Sequence, residues 1–201
     1  MDKSPQHDTD QYLVSSALSG QSNAFRDIIR LTERLVSDIC FKMIDNAEER
    51  KDIAQEIYLK AWKSLPGFRF NARLTTWAAK IAYNTCLNHL ARKKIDVVPR
   101  LEKEGSEEFD EQQGNVFKSS GFNETELSVF KAETRNIIIL AIETLSPVHK
   151  TMITLFHHQE MSYEEIAEIT ALPVGTVKSH LFRARKALKE FLLKNYKKED
   201  L

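Results

Sequence analysis

Glycine and proline are scarce, six and five among 201 residues, about half their usual combined share of roughly 12 %. A β-sandwich or barrel turns every ~8–12 residues and draws on those residue types, so an all-β fold is excluded. Only two cysteines occur, Cys40 and Cys86, in no Cys-x-x-Cys or Cys/His cluster. They read as small buried apolar residues of a reducing compartment rather than as a disulfide or half a metal site. The longest apolar run, Ile137 to Ile142, has six residues, far short of the ~18 of a membrane span. The opening MDKSPQHDTDQ shows no apolar stretch behind a basic one, so no secretory signal and a cytoplasmic location are expected. Net charge is also absent, with 29 basic and 29 acidic side chains, yet a hydrophobic share of 42 % is enough for real cores. Wholesale disorder is excluded.

The zero net charge hides a pattern. Residues 1–95 carry 15 basic and 11 acidic side chains, residues 96–130 carry 3 and 9, and residues 131–201 carry 11 and 9. From Ile57 to Ile95 there are eight basic residues and no acid, and from Gly175 to Lys198 eight basic residues against the single acid Glu190. Two basic surfaces joined by an acidic strip point to two contacts with a polyanion.

Apolar spacing from Tyr12 to Lys94 is helical: Phe25, Ile28, Ile29, Leu31 and Leu35, then Ile39 and Met43, then Ile53, Ile57, Ala61 and Leu65. Pro66-Gly67 ends that last helix, and Leu74, Trp77 and Ile81 resume the period after the loop FRFNAR. These residues predict a bundle of three or four helices over 10–95, behind a frayed polar tail at 1–9. Residues 96–130 hold Pro99, three glycines, four serines and nine acids without a sustained period, the composition of a flexible linker. A second helical unit spans 131–201. Ile137 to Leu145 reads as a buried helix, and Ser146-Pro147 as the cap and first turn of another running through His157. Ser162 and Glu165 form a capping box for a short helix to Ile169. After the turn ALPVGT, a long basic helix runs from Val177 to Asn195.

A short helix, a tight turn and a basic helix are the ingredients of a helix-turn-helix. Ile166, Leu172, Val177 and Leu181 close its small core, with Ala167 at the crossing. Lys178, Ser179, Phe182, Arg183, Arg185 and Lys186 are left off the buried stripe, where a major groove would receive them. Phe68, Phe70, Trp77 and Tyr83, interleaved with Arg69, Arg73, Lys80 and Arg92, supply the stacking and cationic contacts that hold single-stranded nucleic acid. Trp77 fits a core position equally well. His157-His158 is a poor metal pair, because adjacent helical residues diverge and no third ligand is near in sequence.

The run MSYEEIAEITALPVGTVKSHLFRARKALKEFL resembles the C-terminal DNA-binding domain of extracytoplasmic-function (ECF, group IV) sigma factors of bacterial RNA polymerase, in the sigma-70 family. The run DIAQEIYLKAWKSLPGFRFNARLTTWAAKIAYNTCLNHLARKK resembles that family's N-terminal domain. The resemblance covers about residues 10–95 and 131–195. It implies an all-α protein of two small helical domains, the second a four-helix unit. It also implies a promoter-specificity subunit rather than an enzyme, without cofactor or metal.

Its implied partners are core RNA polymerase, through the clamp helices of the largest subunit and the flap region, promoter DNA, and an anti-sigma factor. Asp52, Gln55 and Glu56 match the family's clamp-contacting positions. Phe70, Asn71, Ala72 and Arg73 lie in the loop matching the −10 specificity loop, with Trp77, Lys80 and Asn84 on the helix after it. Thr176, Lys178, Ser179, Phe182, Arg183 and Lys186 match the −35-reading helix. His180 departs from the pattern, standing where many members carry arginine. The rival reading is a response-regulator-like transcription factor with the same helix-turn-helix. It requires an alternating βα receiver domain, for which residues 10–95 show no strand pattern.

Overall fold

The computed structural model describes residues 5–21, 23–93 and 136–196, and all regular structure among them is helical. The linker expected over 96–130 lies outside the described residues. Four helices form the first unit: α1 (Pro5–Leu18), α2 (Ala24–Met43), α3 (Ala47–Ser64) and α4 (Leu74–Arg92). Four more form the second: α5 (residues 136–143), α6 (Pro147–Ile153), α7 (Tyr163–Thr170) and α8 (Val174–Asn195).

Local chemistry sets most of the boundaries. Asn46 caps α3, its side-chain oxygen accepting from the Glu48 and Glu49 N–H groups at 2.9 and 3.0 Å. A 3-10 turn at Leu65–Gly67, with Pro66 at its start, closes α3. Ser146 caps α6, with Pro147 at the first helical position. The Ser162–Glu165 capping box on α7 is complete in both directions. A π-helical turn, Thr154–His158, extends α6.

Three local readings change. The tail expected at 1–9 is helical from Pro5 onward, and Asp10 is buried with its carboxylate accepting the Leu74 N–H at 2.8 Å. Leu74 opens α4, so a residue 64 positions earlier satisfies one of the donors that a helix N-terminus leaves open. The expected buried helix at 137–145 exposes Ile138, Ile139 and Leu140, and only Ala141 and Leu145 are buried. The α8 helix starts at Val174, three residues before the expected Val177, because the turn needs only Ala171–Pro173. Ala171 adopts a left-handed conformation (φ 56°) and its N–H donates to the Ala167 carbonyl, which ends α7 in one residue.

The two units share an apolar core, with α6 resting on α2 and α7 on α4. Ile39, Met43, Cys86 and Leu90 belong to the same buried cluster as Met152, Leu155, Ile166, Ile169 and Leu181. Polar contacts rim the junction. Lys42 and Lys150 flank the Glu143 carboxylate at 2.9 and 2.7 Å, and Gln159 donates to Asp38. Lys150 and then Lys42 hold the Glu143 carboxyl below its ordinary range. Cys40 and Cys86 are both buried free thiols, and their sulfurs meet at 3.9 Å between α2 and α4.

Candidate nucleic-acid and polymerase interfaces

The α8 helix presents two faces. Val177, Leu181 and Ala184 are fully buried and pack on Ile166 and Ile169 of α7, which leaves Phe182, Arg183 and Lys186 exposed on the opposite side. Arg185 and Lys189 are exposed as well. The other expected groove residues are partly buried, each with its own local role. Lys178 Nζ sits 5.2 Å above the Tyr163 ring, and the Ser179 hydroxyl donates to the Gly175 carbonyl at 3.0 Å. Thr176 lies in the first turn of α8, its N–H donating to the Pro173 carbonyl at 2.9 Å.

His180 turns inward, 8 % exposed. Its Nδ1 lies 3.1 Å from Nε2 of His149 on α6, a hydrogen bond that needs one bare and one protonated nitrogen. Burial first, then the charges of His180 and Arg183, hold His149 below its ordinary pKa, and burial and Arg183 do the same to His180. His157 is lowered by burial and by Arg185. All three rings are therefore favoured neutral in the folded state. Their contribution to stability is complete above the unfolded histidine value of about 6.5 and falls as pH drops through it toward the lower folded values. The urea midpoint is expected to be lower at pH 5.5 than at pH 7.5, and His180→Phe to flatten that difference. A midpoint independent of pH contradicts this.

In the first unit the loop between α3 and α4 carries Asn71 and Arg73 exposed and Phe70 and Ala72 half-buried. Phe70 has φ 57°, an unusual conformation for a bulky side chain. Its ring lies 4.8 Å from that of Phe68, which lies 5.2 Å from Trp77, so a line of rings joins the loop to α4. Trp77 is half-buried against both apolar clusters, and Lys80 and Asn84 follow it along α4, also half-buried. Tyr83 leaves the expected stacking set. It is 3 % exposed in the core, where burial pushes its phenol up to about 12.

Asp52 and Gln55 are exposed on α3 beside the half-buried Glu56. Glu56 pairs with Lys60 at 2.7 Å, which holds its carboxyl below the ordinary range. Leu59 continues this face and is exposed, and Trp62 meets Phe25 edge to face at 4.8 Å. Leu59 was not among the expected site residues, although its place off the Ile53, Ile57 and Ala61 stripe is the sequence signal for an exposed apolar side chain. Asp10 was missed because its partner is a backbone N–H that no sequence pattern announces.

A helix-turn-helix with an exposed basic face, joined to a helical unit with an aromatic and cationic loop, is the build of a DNA-binding protein. Residues 28–95 match the family described as Sigma-70 region 2, and residues 135–188 match Sigma-70, region 4. The chain is 31 % identical over 179 residues to the ECF RNA polymerase sigma factor SigW of Bacillus subtilis, covering 89 % of this chain and 94 % of that one. It is 32 % identical over 184 residues to the ECF RNA polymerase sigma-E factor of Escherichia coli, covering 90 % and 92 %. Its fold is similar to that of the sigma factor RpoE of Bartonella quintana, solved with the anti-sigma factor NepR (TM-score 0.57, 21 % identity, 86 % and 99 % covered). The chain belongs to the ECF sigma factors of the sigma-70 family. No helix among the described residues is long and apolar enough to cross a membrane.

Proposed function

We propose that this chain binds core RNA polymerase and directs it to promoters, with residues 10–95 gripping the enzyme and reading the −10 element, and 131–201 reading the −35 element. Residues 96–130 link the two. The observation that carries this reading is the exposed set Phe182, Arg183 and Lys186 on α8, within a region matched to the family's region 4. In the −10 loop, Phe70, Asn71 and Ala72 frame a site for one flipped base, with Asn71 reading its edge. Unstacking that base costs a few kcal/mol, returned by stacking and hydrogen bonds. Arg73, Lys80 and Asn84 hold the adjacent strand, and the half-buried Trp77 supports the loop. Thr176, Lys178 and Ser179 set the start of the reading helix. An anti-sigma factor that holds the protein inactive completes the set of partners.

The direct test is transcription in vitro with core polymerase on a promoter library. Selected templates are expected to share both a −10 and a −35 sequence; transcripts no more abundant than with core enzyme alone contradict the assignment. On α3, Asp52, Gln55 and Glu56 with exposed Leu59 form the surface for the clamp helices. Charge-assisted contacts there are worth ~1.5–3 kcal/mol each. Glu56→Lys is expected to weaken association with core enzyme at least tenfold in a calorimetric titration, with thermal unfolding little changed. Unaltered affinity sinks the clamp assignment. Asn71→Ala is expected to change which −10 sequences are used; an equal loss at all promoters removes its base-reading role.

A further inference from the structure

Four side chains beside the reading face of α8 form a ladder of rings and cations. The Phe156 and Tyr163 rings stack at 4.9 Å with their planes 24° apart. The Arg185 guanidinium lies 5.0 Å over Phe156, and the Lys178 ammonium 5.2 Å over Tyr163. Lys178 and Arg185 are two turns apart on α8. Both therefore fall on one side of the helix, flanking the buried Val177, Leu181 and Ala184.

Local structure fixes each ring. Tyr163 is the first residue of α7, directly after the Ser162 cap. Phe156 belongs to the π-helical turn Thr154–His158, a distortion frequent at functional sites. The next residue of that turn reaches the same target: His157 meets Phe156 edge to face at 5.0 Å, and its Nε2 accepts from Arg185 Nε at 3.4 Å. The terminal amino groups of the guanidinium remain as donors. Both rings are half-buried and pack against the apolar core on their other side.

Among the described residues neither Lys178 nor Arg185 pairs with a carboxylate. A carboxylate would cancel the charge and occupy the donors. A ring face attracts the cation through its quadrupole and takes up no N–H. A flat guanidinium stacks on it especially well. Side chains ordered beforehand also lose less freedom when they bind.

We infer that Phe156 and Tyr163 are positioning residues for −35 DNA: they hold Arg185 and Lys178 out as a pair of phosphate contacts beside the bases met by Phe182 and Arg183. This rests on the −35 reading above and extends it to two side chains that act through their neighbours.

The test uses holoenzyme assembled from the full chain and core polymerase, with binding measured across single-base −35 variants at several salt concentrations. Arg185→Ala is expected to weaken all variants alike and to flatten the salt slope by about one. Phe156→Leu keeps an apolar side chain and removes the ring. It is expected to weaken all variants about two- to fivefold, the scale of one cation held at a ring face, while Phe156→Tyr matches the parent. On an Arg185→Ala background Phe156→Leu is expected to cost nothing further, whereas with Lys189→Ala the two losses multiply. Tyr163→Leu on a Lys178→Ala background is expected to repeat the pattern. Full affinity in both ring variants, a loss that Phe156→Tyr shares, or a loss that multiplies with Arg185→Ala overturns the positioning role. Coupling to Lys189 as strong as to Arg185 overturns it too, because it reports a shifted helix. If Arg183→Ala still relaxes base preference in those cases, the −35 reading survives alone. If Arg183→Ala, Arg185→Ala and Lys189→Ala all leave binding unaffected, the −35 reading falls and the ring platform with it.

Discussion

Leu181→Ala is expected to destabilise the helix-turn-helix by about 2–5 kcal/mol, the range for removing a fully buried leucine. Leu181 has no exposed surface and lies in the cluster with Ile166, Ile169 and Val177, so nothing nearby is free to fill the space without moving a helix. The same side chain sets the rotation of α8 and therefore the direction of Arg183 two positions on. Because the cluster continues into α2 and α4, the loss is expected throughout the structure and not only in the last four helices. Chemical unfolding of the full chain measures it. A drop below about 1 kcal/mol contradicts the tight packing, and a second transition appearing in the variant contradicts the shared core.

Arg183→Ala has the second large effect, on recognition instead of stability. The exposed guanidinium is suited to two hydrogen bonds with a guanine edge, while Phe182, 51 % exposed, is suited to a thymine methyl. Removing Arg183 is expected to cost ~1–3 kcal/mol at the preferred −35 sequence and to relax preference at one base pair. Lys189→Ala serves as the contrast. Lys189 is exposed and suited to a phosphate and not to a base edge, so its loss is expected to weaken all sequences alike and to flatten the slope of log affinity against log salt by about one. Holoenzyme binding across single-base −35 variants distinguishes the two. If Arg183→Ala shifts every variant by one factor, the reading face is misplaced and α8 is only a phosphate clamp.

His180 bears on both results. Its ring is buried and hydrogen-bonded to His149, so no phosphate contact is drawn from it. Arg183, three positions further along α8, is an exposed cation.

Much of this protein is written locally. A serine followed by proline, or by glutamate three residues later, states where α6 and α7 begin, because each satisfies backbone donors within its own turn. The 3.6-residue period of Val177, Leu181 and Ala184 states which side of α8 is buried, and so leaves Phe182, Arg183 and Lys186 outside. The shortage of turn residues excluded an all-β fold, and the helical spacing of the apolar residues pointed to helices in its place. What periodicity states is a face, never the neighbour that covers it. That choice belonged to the tertiary structure. It placed Asp10 against the start of α4, made a helical wall of a stretch that looked frayed, drew Tyr83 into the core while leaving Trp77 at its edge, and joined α6 and α7 to α2 and α4 around one set of apolar side chains. Each of these depends on contacts between helices distant in the chain, whose free energy comes from mutual burial that neither helix encodes alone.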